Sequence, residues 1–132
     1  MAKINLKCDC GSKVTASVGD SLYEGILRWY VSYKCESCGR VVESDGRDEI
    51  PSEIKEAILK DEGIWKVILH DRKEFEKVSY ILRKQFGFTL GQTKEIDAKL
   101  SNELISGTKN EMSRINDVLT EKGVKRIEIK KV

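Results

Sequence analysis

The chain has 132 residues, 39% of them hydrophobic and 35% charged, with a single proline. That balance excludes both the apolar depletion of a disordered chain and the long apolar run of a helical membrane protein. What is expected is a soluble protein of one ordinary domain, or a small metal-stapled module joined to a compact α/β domain. Lys and Arg number 24 against 22 Asp and Glu, a formal net charge of +2, far from the strongly basic balance of a chain that lives on nucleic acid.

Met1 to Lys7 lacks the apolar core and small-residue cleavage site of a secretory signal, so a cytoplasmic location is expected. The first third, through about Ile50, contains all four cysteines and two β-rich stretches, Lys13–Val18 and Ile26–Tyr33. In the second stretch Leu27, Trp29, Val31 and Tyr33 share one face while Arg28, Tyr30 and Ser32 take the other, the period of two that a strand imposes. Val41-Val42-Glu43 reads as a partner strand. Asp45-Gly46-Arg47-Asp48-Glu49 reads as an exposed loop and a candidate boundary, because glycine accepts positive φ and the charges favour water.

Pro51 suits the first turn of a helix carrying Ile54, Ala57 and Ile58, with Gly63 as its stop; residues 51–63 are read as a linking helix. Ile64–Leu69 is short, apolar and β-branched, as a buried strand would be. Asp71, with Glu74 three residues on as in a capping box, then caps a helix whose stripe is Phe75, Val78, Leu82 and Phe86, ended by Gly87. Thr89 with Gln92 forms a capping-box pattern for a short helix carrying Ile96 and Leu100, and a short strand is expected near Glu103-Leu104-Ile105. Thr108 with Glu111 opens a further helix with Met112, Ile115 and Leu119 inward and Gly123 at its end. The segment Val124 to Lys130 alternates, with Ile127 and Ile129 inward, as an antiparallel or edge strand would.

Cys8-Asp9-Cys10-Gly11 and Cys35-Glu36-Ser37-Cys38-Gly39 are two tight turns, each able to supply half of a tetrahedral thiolate site. The glycine after each cysteine pair lets the backbone turn over the metal, where amides can hydrogen-bond to sulfur. Zinc is the expected occupant, as one structural ion. Disulfides fit poorly with a cytoplasmic setting, and an iron–sulfur cluster would suit four thiolates but finds no ferredoxin-like cysteine run. A site of four cysteines keeps no open coordination position, so it braces the fold and activates no water. These residues resemble a zinc ribbon over residues 1–50, with a first knuckle one residue shorter than usual.

From residue 64 to 132 the order strand, helix, short helix, short strand, helix, strand resembles the C-terminal domain of the bacterial ribosomal stalk protein. The resemblance is carried by Leu82-Arg83 before Gly87-Phe88-Thr89-Leu90, by Lys94-Glu95, and by Gly107-Thr108-Lys109-Asn110-Glu111 leading to Gly123. It implies an α+β protein, a β-rich ribbon followed by a small α/β domain, with Arg83 and Lys94 on a basic helical face that meets another protein. Tyr80 stands where the stalk family has a lysine, and the cysteine module replaces that family's dimerisation segment and hinge. The pairing of a ribbon with a stalk-like domain also resembles small bacterial proteins of toxin–immunity loci, which implies occlusion of a toxin's surface.

The single histidine, His70, lies beside Asp71 at a strand-to-helix turn. With no nucleophile or glycine-rich phosphate loop to accompany it, no enzyme is expected. The expected role is protein binding, with Arg28, Tyr30, Asp45, Arg47 and Asp48 as candidate contacts in the first third. The alternative is nucleic-acid or translation-associated binding, because Arg28, Trp29, Tyr30, Tyr33 and Lys34 mix aromatic and basic groups of the kind that stack on unpaired bases beside phosphate.

Overall fold

Hydrophobic alternation in the first half and helical periodicity in the second produce two separate sheets. The computed structural model describes residues 2–98 and 103–132, and the side chains of residues 97 and 98 are not among those described. It divides into two compact units, 1–64 and 65–132. The protein is of the α+β class, with two sheets and four α-helices among the described residues.

The first unit is an antiparallel meander of β1 (Ala2–Lys7), β2 (Lys13–Tyr23), β3 (Ile26–Lys34) and β4 (Val41–Arg47), in that spatial order, followed by α1 (Ser52–Glu62). Glu24 and Gly25 make the two-residue connection of β2 to β3, both at positive φ of 51° and 78°. Such a turn matches the right-handed twist of the strands it joins. One face of the sheet carries Ala2, Val18 and Leu27, and these bury together with Ile50, Ile54 and Ile58, with Ile4, Leu22, Trp29 and Val31 packed at the margin. Trp29 reaches this position because it pairs across the strands with Gly46, where a Cβ would come within 2.6 Å of the indole.

Two expectations change here. Asp45, Gly46 and Arg47 belong to β4, not to a loop, because their backbones pair with Tyr30, Trp29 and Arg28. Charge at these positions marks the wet face of an edge strand, which in a short window looks the same as a loop. The helix expected as a link is the cover of the first sheet, since Ile54 and Ile58 are buried in its core.

The second unit has β5 (Trp65–Leu69) at the centre of a three-stranded antiparallel sheet, flanked by β6 (Glu103–Gly107) and β7 (Ile127–Lys131). A single 3-10 turn at Arg72–Glu74, capped by the Asp71 carboxylate on the Lys73 amide, precedes α2 (Phe75–Phe86). Then come α3 (Leu90–Ala98) and, after β6, α4 (Lys109–Glu121). The pattern at Asp71 and Glu74 forms no capping box, since the carboxylate takes the Lys73 amide and α2 starts without a side-chain cap, but the other two form. Thr89 Oγ1 accepts from the Gln92 amide while Gln92 Oε1 accepts from the Thr89 amide, and Thr108 and Glu111 repeat the exchange. Val67 and Leu69 pack on Val78, Ile81, Leu82, Leu104, Met112, Ile115 and Leu119. Leu100, expected on the short helix, lies outside the described residues. Arg126, read as part of the last strand, sits before it at φ 56°. No helix among the described residues is long and apolar enough to cross a membrane.

Candidate metal centre

In an antiparallel meander, alternate connections lie at the same end of the sheet. The β1–β2 and β3–β4 connections therefore meet, and these carry the two cysteine pairs. Each connection is closed in the same way. The Cys8 amide donates to Ser12 O at 2.8 Å and the Gly11 amide to Cys8 O at 2.8 Å; the Cys35 amide donates to Arg40 O at 2.8 Å and the Gly39 amide to Cys35 O at 2.7 Å. Gly11 and Gly39, at φ 93° and 74°, make these returns in a backbone region that disfavours other residues.

The four sulfurs lie within 4.8 Å of one another. Cys8 and Cys38 are 3.7 Å apart and Cys10 and Cys35 are 3.6 Å apart. A metal–sulfur bond of about 2.3 Å in tetrahedral geometry sets sulfurs about 3.8 Å apart, and these two sulfur pairs already lie near that edge length. All four are free thiols. Cys8 and Cys35 are buried, whereas Cys10 and Cys38 are exposed, so the donor set lies half in the protein and half at its surface.

The thiols differ in proton affinity. The Ser12 amide and hydroxyl, followed by the neighbouring Cys35 thiol, pull Cys10 down to about 6. At Cys38 the Arg40 amide also pulls downward, but burial and the thiols of Cys35, Cys8 and Cys10 outweigh it and hold the group up at about 11. Tyr33 is likewise raised, first by burial and then by the negative charge of Cys8. Four sulfurs at this spacing cannot all ionise without a cation among them. The donor set thus fits a metal ion in chemistry as well as in distance. Asp9 and Arg40 join the two knuckles on the outside through an exposed ion pair of 2.8 Å.

The other residues singled out from the sequence separate into two groups. Arg28 and Tyr30 on β3 face Arg47 and Asp45 on β4 as directly opposed pairs, so these four share the sheet face that α1 leaves open. Asp48 follows the strand at φ 73°, its amide donating to Leu27 O at 2.9 Å. Arg83 on α2 and Lys94 on α3 are exposed and belong to the second unit. His70 Nε2 lies 2.9 Å from Glu128 Oε1 at the surface.

Sequence reasoning missed Lys3, Lys7, Lys13 and Gly19 on the open face. The alternation Lys3-Asn5-Lys7 against Ile4 and Leu6 was the available signal, and strand pairing completes it. Comparison of the chain with protein-family models, with characterised proteins and with solved structures finds no match, so its chemistry is argued from geometry alone.

Proposed function

We propose that this chain is a non-catalytic binding protein in which Cys8, Cys10, Cys35 and Cys38 hold one structural zinc ion, and in which the open face of the stapled sheet receives a macromolecular partner. Zinc suits four thiolates in a closed tetrahedron and carries no redox demand; iron is the competing occupant of such a donor set. The observation that carries the reading is the convergence of four thiols within 4.8 Å at one end of a sheet with one face buried on α1 and the other polar. A metal without an open position contributes rigidity, and rigidity is what a binding face needs from its scaffold.

The test pairs metal analysis with partner capture. Protein purified without added metal should contain one zinc per chain, and material captured from the native host should be retained by the intact protein and released when Arg28, Tyr30 and Arg47 are replaced together by alanine. Equal capture by both forms would move the binding surface elsewhere, and iron in place of zinc would overturn the metal assignment.

Mixed charge on the same face also fits a partner protein, including a toxin that this chain neutralises: Asp45 lies diagonally across from Arg28 and two residues from Arg47. Inhibition of a toxin encoded by a neighbouring gene, lost in the same triple variant, would support that form.

A further inference from the structure

The open face of the first sheet is more positive than the chain as a whole. Strand register and alternation place Lys3, Lys7, Lys13, Arg28, Lys34 and Arg47 on it, all exposed. Only Glu43 and Asp45 oppose them among the described strand positions of that face, although the full chain carries an excess of just two positive charges. The open face of the second sheet is arranged differently, with Lys66 joined to Glu103 and His70 to Glu128.

Five of the six cations gather at two places, and Lys3 lies between them on β1, opposite Ser17. Lys7 pairs with Lys13 next to the metal knuckle and Lys34 ends β3 at the same side, whereas Arg28 pairs with Arg47 six residues back along the strand. At about 3.3 Å per residue the two groups are roughly 20 Å apart. Between them β2 offers the short groups Ser17 and Gly19, set against Ser32 and Tyr30 on β3. The Tyr30 ring lies over Gly19, in the space a Cβ would occupy at 2.4 Å from its hydroxyl, and it remains 37% exposed. Both carboxylates sit on β4 at one margin, Asp45 directly across from Tyr30 and Glu43 from Ser32, while the Tyr30 ring turns the other way, over Gly19 on β2.

We infer that this face binds single-stranded nucleic acid, with backbone phosphates held by the lysines at the metal end and by Arg28 and Arg47 at the other, and a base stacked on Tyr30 between them. A low floor with cations at both ends and an aromatic ring in the middle is the combination that tracks a phosphate backbone and stacks an unpaired base; a duplex has its base faces already stacked. The inference rests on the reading of this face as the binding surface and names its occupant.

Fluorescence anisotropy of the metal-loaded full chain with labelled oligo-dT and oligo-rU of about 12 nucleotides tests it. Saturable binding of either probe is expected, weakening steeply between about 50 mM and about 200 mM salt. Tyr30→Ala should weaken binding roughly tenfold while Tyr30→Phe retains it, as stacking on a ring requires. Arg28→Ser with Arg47→Ser should lower the slope of log affinity against log salt by about 1.4, one contact each. Metal content and circular dichroism identical to the parent show that each variant is folded. Absence of binding at the lower salt, or binding that neither set of variants changes, overturns the inference. If a captured protein partner is lost in these variants while both oligonucleotides fail to bind, the face remains a binding surface and nucleic acid is the part that falls.

Discussion

The two units solve the same problem with different means. Among the described residues, the apolar cluster of residues 65–132 has eleven buried members, drawn from three helices, β5, β6 and the connection at Val124, whereas that of residues 1–64 has six, two of them alanine and valine. A sheet covered on one face by an 11-residue helix buries too little apolar surface to be generous with its stability. The thiol cluster sits at the end of that sheet, where it ties both hairpin connections together. The contrast teaches that the candidate metal site lies where apolar burial is thinnest, and that the unit with the ample core has no equivalent cluster among its described residues.

Removing the metal should give the largest effect and should divide the chain at residue 64. Structural zinc contributes on the order of 10 kcal/mol to small modules of this kind. Chelation, or Cys35→Ser, should therefore abolish slow amide exchange in β1 to β4 and α1 while α2, α4 and β5 keep theirs. Hydrogen-exchange mass spectrometry reads both halves at once. Loss of protection in both units together would break the comparison.

Acid should reach the same state. Binding needs thiolates, so protons and metal compete. In the metal-free chain Cys38 keeps its proton up to about 11 and Cys10 loses its own near 6, and loading at neutral pH therefore expels protons. Stability from the metal declines as pH falls, because Cys38 must give up its proton to bind, and it declines more steeply below about 6, where Cys10 must do so too. A metal indicator followed from pH 7 toward pH 4 should report release, with the first unit's amides exchanging in step. Release that begins only far below that range would overturn this account of the thiols.

A smaller effect separates the units from the other side. Leu82 is fully buried in the second core, and Leu82→Ala should cost about 2–5 kcal/mol there. Denaturant unfolding should show that loss in the transition of the second unit, with bound zinc unchanged. The smallest expected change is Thr108→Ala, which removes one half of a capping box from α4 and should cost about 1 kcal/mol. It sharpens the comparison because Thr108 is also buried, so a cost well above 2 kcal/mol would show that its hydroxyl matters to the core beyond the cap.

Local signals were legible wherever the cause was local. Gly11 and Gly39 after the cysteine pairs, Thr108 with Glu111, and the stripe Val78, Leu82 each depend on a few neighbouring residues, and each forms as its spacing predicts, whereas Asp71 caps the short 3-10 turn in front of α2 and not α2 itself. The four cysteines were readable as one site for the same reason, since ligand type and spacing carry the information. Asp45 to Arg47 misled because charge and glycine favour a loop in isolation, whereas hydrogen bonding to β3 makes them a strand.

By itself, then, the sequence determined the α+β class, the helix ends and the identity of the thiol donors, because propensity, capping and ligand chemistry act over a few residues. The tertiary structure decided that α1 covers the first sheet, that the two knuckles meet at one end, and that Lys3, Lys7, Lys13, Arg28, Lys34 and Arg47 share an open face. Those facts depend on which strands pair and in what register, and pairing is settled by burial and backbone hydrogen bonds between segments far apart in the chain.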